Sequence, residues 1–463
     1  HSVMTQIERF VGRNTGILID CGWSDVFFGE NRELHEKMLR LNIPHDYIER
    51  PGKHDWAYWI NALPYQMQYL ADRLRPAGVP QPTSVVPTFE PVVIDKGLPD
   101  DPYGVDVADM NGDGKPDIVL TRFFAVTWYE NPSWKRHDIV TNATRQNVDS
   151  AVYDIDRDGK PDVAIASDWM FDDTKRNASI WWARQTGASP WPVAHLGGEP
   201  NIHRICWADV DGDGRKELVV APLKGVATTP PDFMQRGVRL FLLRIPPDPK
   251  VVHWPQEMIS NTLHLVHAIT PVQFDADTAE ELLVASAQGV TLFDRLPNGA
   301  WTQRRLCAGE QQTSPFRGAS EVCMGRLANG TPFIATIEPL HGHEVVVYLP
   351  PPDPDALWIR TMIDDTLDAG HAIGAGDFDG DGNFEIVAGY RGQNRDGRKP
   401  TSLKLYQPVD PAEGIWKTHW IDTGDMACED LKVADINGDG KPDIVAIGRS
   451  TRNLKVYLNR TVR

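Results

Sequence analysis

Two sets of residues in this 463-residue chain have the types and spacing for metal chemistry. The first is Asp377-Phe378-Asp379-Gly380-Asp381-Gly382-Asn383-Phe384-Glu385. Acidic groups at positions 1, 3, 5 and 9 around a glycine turn form a hard, oxygen-rich cage suited to Ca²⁺. The pattern returns as Asp109, Asn111, Asp113, Asp117; as Asp154, Asp156, Asp158, Asp162; as Asp209, Asp211, Asp213, Glu217; and as Asp435, Asn437, Asp439, Asp443. Unlike an EF-hand loop, each runs straight into an apolar, β-branched segment, so a structural staple between strands is the expected role. The second set emerges by counting six residues back from position 1: Tyr103, Val148, His203, His267, Ala319, His371 and Glu429. Only 14 residues of the chain are His, yet three fall in these seven places. His203, His267 and His371, with Glu429 as a further ligand or a base, suit Zn²⁺ or another divalent transition metal with an open coordination position.

These residues need a scaffold that repeats. Position 1 falls at Asp109, Asp154, Asp209, Gln273, Gly325, Asp377 and Asp435, a spacing of 45 to 64 residues that matches a four-stranded propeller blade. After each loop come a buried-strand pattern (Ile118-Val119-Leu120, Leu218-Val219-Val220) and then an aromatic strand (Trp128-Tyr129, Val456-Tyr457). The sequence therefore predicts a mainly β protein, with a seven-bladed propeller over residues 88–463. A strand near 89–96 should complete the last blade and remove the open edge. Two loops are degenerate. Blade 4 (Gln273, Asp275, Asp277, Glu281) keeps three acids without the turn glycine, and blade 5 (Gly325 to Gly330) should hold no Ca²⁺. About five Ca²⁺ are thus expected. Along an inner strand that ends at the metal loop, position 1 and the column six residues earlier lie at opposite ends. The histidines should then stand at the other mouth of the channel.

The formal charge of −17 argues against nucleic acid or an anionic membrane as partner. The five best loops hold 18 carboxylates, and five bound Ca²⁺ would leave about −7, an ordinary surface. The five cysteines are odd in number and scattered, which fits buried thiols better than a disulfide framework. No apolar run is long enough to cross a bilayer, and no signal peptide is visible after His1; the Ca²⁺ loops favour an extracytoplasmic setting. Residues 1–78 read as a small α/β segment preceding the propeller, and 79–87 as a Pro-rich linker.

Several stretches resemble known families. The repeated loops are similar to FG-GAP/VCBS calcium propellers, which include integrin heads, lectins and lyases. Asp20 to Asp25, Asn31 to His35 and Pro51 to Trp56 resemble the C-terminal part of esterase-D-like and feruloyl-esterase-like α/β-hydrolases. That likeness implies Asp25 and His54 as acid and base of a triad. The G-x-S-x-G elbow that would carry the nucleophile is absent, so these are read as vestigial, in a segment suited to self-association. His203-Arg204-Ile205-Cys206-Trp207, Arg317 to Glu321, Glu338 to His343, Gly370-His371 and Met426 to Leu431 resemble the propeller domain of the aldos-2-ulose dehydratase (1,5-anhydro-D-fructose dehydratase) family. Ulvan lyases, seven-bladed propellers with His, Tyr and a metal at one face, give a second precedent.

The resemblance implies a carbon–oxygen lyase that eliminates water or a glycosyl group from a keto-sugar or uronate-type carbohydrate, small or oligomeric. Elimination needs charge stabilisation for an enediolate, a base for the α-proton and an acid for the leaving oxygen. The expected roles are His341, His343 or Tyr103 as acid and base, Glu429 as ligand or base, and Arg317 and Arg391 on substrate oxygens. Two other readings compete: a Ca²⁺-dependent carbohydrate-binding or adhesion propeller without turnover, and a remnant esterase. Unusual residues concentrated at one channel mouth favour the enzyme.

Overall fold

The computed structural model describes residues 6–13, 15–74, 85–392 and 401–462. The chain divides into two compact units, His1–Thr83 and Ser84–Arg463. Most of the 79–87 linker, and His1, lie outside the described residues.

In the first unit, strand β1 (Leu18–Gly22) pairs in parallel with β2 (Asp46–Arg50). Each strand is followed by a helix, α1 (Phe28–Arg40) and α2 (Trp56–Leu74). Met38, Ile7 and Ile43 form the small core. His54 Nδ1 lies 3.0 Å from Asp25 Oδ2; the His54 ring is half open to solvent, while the Asp25 carboxylate is nearly covered.

The second unit is a seven-bladed propeller built from seven four-stranded antiparallel sheets. The inner strands are Pro102–Ala108, Asp149–Tyr153, Ile202–Ala208, Ala268–Val272, Glu321–Arg326, Gly370–Gly376 and Cys428–Ala434, for blades 1 to 7. The ring closes as the sequence predicts: β3 (Phe89–Lys96) is the outermost strand of blade 7 and pairs with Asn453–Asn459. The second strands are buried throughout, as in Asp117–Arg122 and Asp443–Gly448, because neighbouring blades cover both faces. That is why they read as continuous apolar runs rather than alternating ones. In every blade but the fifth, their first residue is the acid at position 9 of the acidic loop.

Aromatic third strands also tie blades together. The hydroxyls of Tyr129, Tyr406 and Tyr457 donate to Asp95, Asp364 and Asp422 on the outer strand of the preceding blade, at 2.6 to 2.7 Å. Lys455 joins Asp422 from the same face at 3.0 Å. All five cysteines are free. Tyr457→Phe should lower the unfolding free energy by roughly 1.5–3 kcal/mol, the range for a hydrogen bond to a charged group. Denaturant titration checks this, and an unchanged midpoint would contradict the staple.

Candidate functional site

The column six residues before the metal loop is a structural column. In blades 1, 3, 6 and 7 the pairing of the inner strand shifts at this residue, so Tyr103, His203, His371 and Glu429 each occupy a bulge. A bulge leaves one residue without a cross-strand partner and re-aims its side chain. Two residues earlier, Gln146, Asn201, Leu265 and Ala369 have left-handed backbone angles, which turn the incoming chain sharply at this end of the channel.

His203, His267 and His371 are at most 5% exposed. Each points Nδ1 at a backbone carbonyl of the next blade: His203 to His267 at 3.3 Å, His267 to Ser320 at 3.2 Å, His371 to Glu429 at 2.6 Å. A carbonyl only accepts, so Nδ1 carries the proton and Nε2 keeps its lone pair. Glu321 adds a carboxylate oxygen 2.8 Å from His267 Nδ1. Burial first, and then nearby arginines and histidines, hold all three imidazoles well below their usual pKa. The same burial acts on His341, which sits in the loop after the second strand of blade 5 with φ of 49°.

The nitrogens that converge are those of His267, His341 and His371, within 4.8 Å of one another. His267 Nε2 and His341 Nε2 are 2.9 Å apart. The geometry therefore differs from the expected set of His203, His267 and His371. His341, expected as an acid or base, joins the cluster, while His203 stands beside it with its ring 4.6 Å from that of His267. Three imidazoles whose nitrogens converge, with backbone acceptors behind His267 and His371, are an arrangement that fits a divalent transition metal.

Beside the cluster, Glu429 is 2% exposed and lies between Arg391 at 3.2 Å and Arg449 at 3.3 Å. Desolvation outweighs these guanidinium groups and leaves its carboxyl above the usual range. Arg449 also donates to the Tyr103 hydroxyl at 2.7 Å. Trp169, from the loop of blade 2, packs its ring against Tyr103 and His203. His343 and Arg317 do not join this group. Both are exposed, and Arg317 acts on His264 instead. Arg449 and Trp169 stand beside the cluster instead.

Below the cluster the channel opens into a cavity of ≈ 400 Å³ lined by Asp106, Asp149, Arg204, Glu321, Asp430 and Lys432. Sequence reasoning missed most of this charged lining. Its signal was a charged residue set in an otherwise apolar inner strand, as at Asp106 and Arg204, and the pair Asp430 and Lys432 at alternate positions of blade 7.

At the opposite face, four loops gather acidic oxygens within 4.8 Å: Asp154, Asp156, Asp162; Asp209, Asp211, Glu217; Asp275, Asp277, Glu281; and Asp377, Asp379, Glu385. The blade 4 loop, read as degenerate, thus brings its three acids together as closely as the others. In blades 1 and 7, Asp109 and Asp435 accept three backbone N–H bonds each across the turn, with Asn111 and Asn437 bonded to Asp113 and Asp439. Asp158, Asp213 and Asp381 close the turns of their own loops in the same way. Buried oxygens of Asp162, Glu217, Glu281 and Glu385 have no hydrogen-bond partner. Such orphaned carboxylates suit a cation.

Residues 178–351 match the family described as aldos-2-ulose dehydratase, beta-propeller domain. The chain is 25% identical over 386 residues to aldos-2-ulose dehydratase from Phanerodontia chrysosporium, covering 73% of this chain and 41% of that protein. It thus spans about two-fifths of that relative's length. The propeller resembles that of a carbohydrate dehydratase, and the family match includes His203, His267 and His341 while His371 lies beyond it.

The buried loop acids carry a pH signature. Desolvation pushes Asp162 and Glu217 up to about 7 and Glu385 up to about 9. A carboxyl raised in the fold binds its proton more tightly than in the unfolded chain, whose value is near 4. Its contribution to stability is present below that value and is lost as pH rises through the folded value. Bound Ca²⁺ removes this cost. The gain in melting temperature from Ca²⁺ over chelator should therefore widen from about pH 5 to about pH 8.5; a constant gain would count against cation binding at these loops.

Proposed function

We propose that the channel mouth is the active site of a metal-dependent carbohydrate lyase that eliminates water, or a glycosyl group, from a keto-sugar or uronate-type substrate. The observation that carries this reading is the convergence of His267, His341 and His371 beside the Tyr103–Arg449–Glu429–Arg391 group. The likeness to a dehydratase propeller adds to it.

His267, His341 and His371 would hold a divalent ion such as Zn²⁺, whose Lewis acidity would polarise the substrate carbonyl. His203 would take the α-proton. Its Nδ1–H is committed to the His267 carbonyl, so the lone pair at Nε2 is the one available for proton transfer. Tyr103, held by Arg449, is the group for the leaving oxygen: its hydroxyl can give a proton that the base later returns. Arg391 and Arg449 supply donors for substrate oxygens, and Glu429 fixes both guanidinium groups. Trp169 offers a face on which a sugar ring can lie. The loop Ca²⁺ ions, at the far end of the inner strands, would brace the blades and take no part in the reaction.

Three single variants separate the roles. His341→Ala and His371→Ala should lose transition metal, read by elemental analysis after dialysis. His203→Ala should keep the metal and lose roughly 100-fold or more of turnover, read as enone absorbance with keto-sugars. A His341→Ala protein with full metal content would overturn the ligand set. If the wild type shows Ca²⁺ as its sole metal and no turnover, the competing reading of a carbohydrate-binding propeller takes its place.

A further inference from the structure

Helix α2 is apolar on two opposite faces, and its own unit fills one of them. The inner stripe is Tyr58, Ala62, Tyr65 and Tyr69. Tyr58 and Ala62 are buried, and the Tyr58 hydroxyl donates to Asp20 of β1. The Arg50 guanidinium lies 4.4 Å from the centre of the Tyr65 ring, and that of Arg73 lies 4.3 Å from the centre of the Tyr69 ring.

The second stripe is Trp56, Ile60, Leu63, Met67 and Leu70, whose alternating steps of four and three residues keep them on one face. Pro64, one residue past Leu63, falls off this stripe. The five side chains are 48% to 75% exposed, and Trp59 beside them is 38% exposed. From Trp56 to Ala71 the sequence has no Lys, Arg, Asp or Glu. A helix that meets water along one face carries charge there, and one that is apolar on both faces belongs in an interior. The six residues expose on the order of 700 Å², close to the roughly 800 Å² that each partner of a stable pair covers.

The order of the side chains points to the partner. Trp56 and Leu70 lie equally far from Leu63 on either side, and so do Trp59 and Met67. Read backwards, the stripe again offers an apolar residue at each of these places, so it matches itself when two copies cross antiparallel. With a two-fold axis at Leu63, Trp56 meets the partner's Leu70 and Trp59 meets the partner's Met67. Each contact sets a rigid ring against a flexible aliphatic chain, and the antiparallel helix dipoles oppose one another favourably. A membrane surface fits less well. Helices that lie on one carry Lys and Arg along their polar face, and none of the described helices is long and apolar enough to cross one.

We infer that α2 is a homodimerisation helix, pairing antiparallel with the same helix of a second copy through Trp56, Trp59, Ile60, Leu63, Met67 and Leu70. Such a contact is isologous and closes at two chains. The inference is independent of the reaction proposed at the channel mouth.

The test is sedimentation velocity on the full chain. The wild type should run as a dimer at about 20 μM. Leu63→Glu sets two carboxylates against each other at the axis and should weaken pairing roughly 100-fold or more, and Met67→Glu should act in the same direction. Both side chains are exposed within the chain, so the circular dichroism spectrum should stay that of the wild type. Leu63→Cys should cross-link to a covalent dimer under mild oxidation, because Leu63 meets its own copy, while Tyr65→Cys on the opposite face should not. A wild type that is monomeric at this concentration, with or without binding to anionic vesicles, overturns the inference. So does a dimer that survives both Leu63→Glu and Met67→Glu, or one in which Leu63→Cys does not cross-link.

Discussion

A carboxylate buried at the head of a second strand is the constraint on which the propeller turns. It ends one loop, starts one strand and lies where two blades press together, so it cannot be left charged and alone. Each blade meets the demand differently. Asp117 and Asp443 give both oxygens to backbone N–H groups, in blades 1 and 7. Blades 2 and 3 bring an arginine to the loop acids. Blade 6 brings Gln407, which donates to Asp379 at 2.8 Å, while Glu385 keeps one buried oxygen without a partner. Blade 5 removes the problem: Phe333 takes the position, fully buried and paired with Gly325 of the inner strand. In blade 4, Glu281 likewise keeps one buried oxygen without a partner.

This explains why the fold was legible in the sequence while the site was only half legible. Metal loops recur at a fixed place in each blade, so Asp109 and its repeats give the blade count, the strand order and the closing strand. The same ruler finds His203, His267, His371, Glu429 and Tyr103, because a bulge at one strand position is also a fixed count from the loop. It fails for His341, which comes from a variable loop whose left-handed turn, not a repeat length, brings its ring to His267. It fails for Arg449 and Arg317 for the same reason: both lie beyond regular strands, and only three dimensions separate the one that bonds Tyr103 from the one left in solvent.

Inner strands of neighbouring blades run side by side around the axis without joining one sheet, so the gaps between them need other bonds. Near the channel cavity, Asp106, Asp149 and Asp430 accept from the N–H groups of Val152, Ile205 and Val105, spanning blades 1 to 2, 2 to 3 and 7 to 1. At the mouth, His203, His267 and His371 donate to carbonyls across the gaps from 3 to 4, 4 to 5 and 6 to 7. The histidines are thus part of the ring's own bonding, and their orientation is fixed before any ligand arrives.

The gap from blade 5 to blade 6 is bridged by backbone bonds instead: Gly370 N–H donates to the Gly342 carbonyl at 2.8 Å and Leu367 N–H to the His343 carbonyl at 3.1 Å. Beside these bonds stand His341 from blade 5 and His371 from blade 6, with ring centroids 4.8 Å apart. With an ion between them the same pair would add a side-chain link at this gap. Binding at the mouth would then also brace the scaffold, which ties the proposed chemistry to the closure that makes the propeller possible.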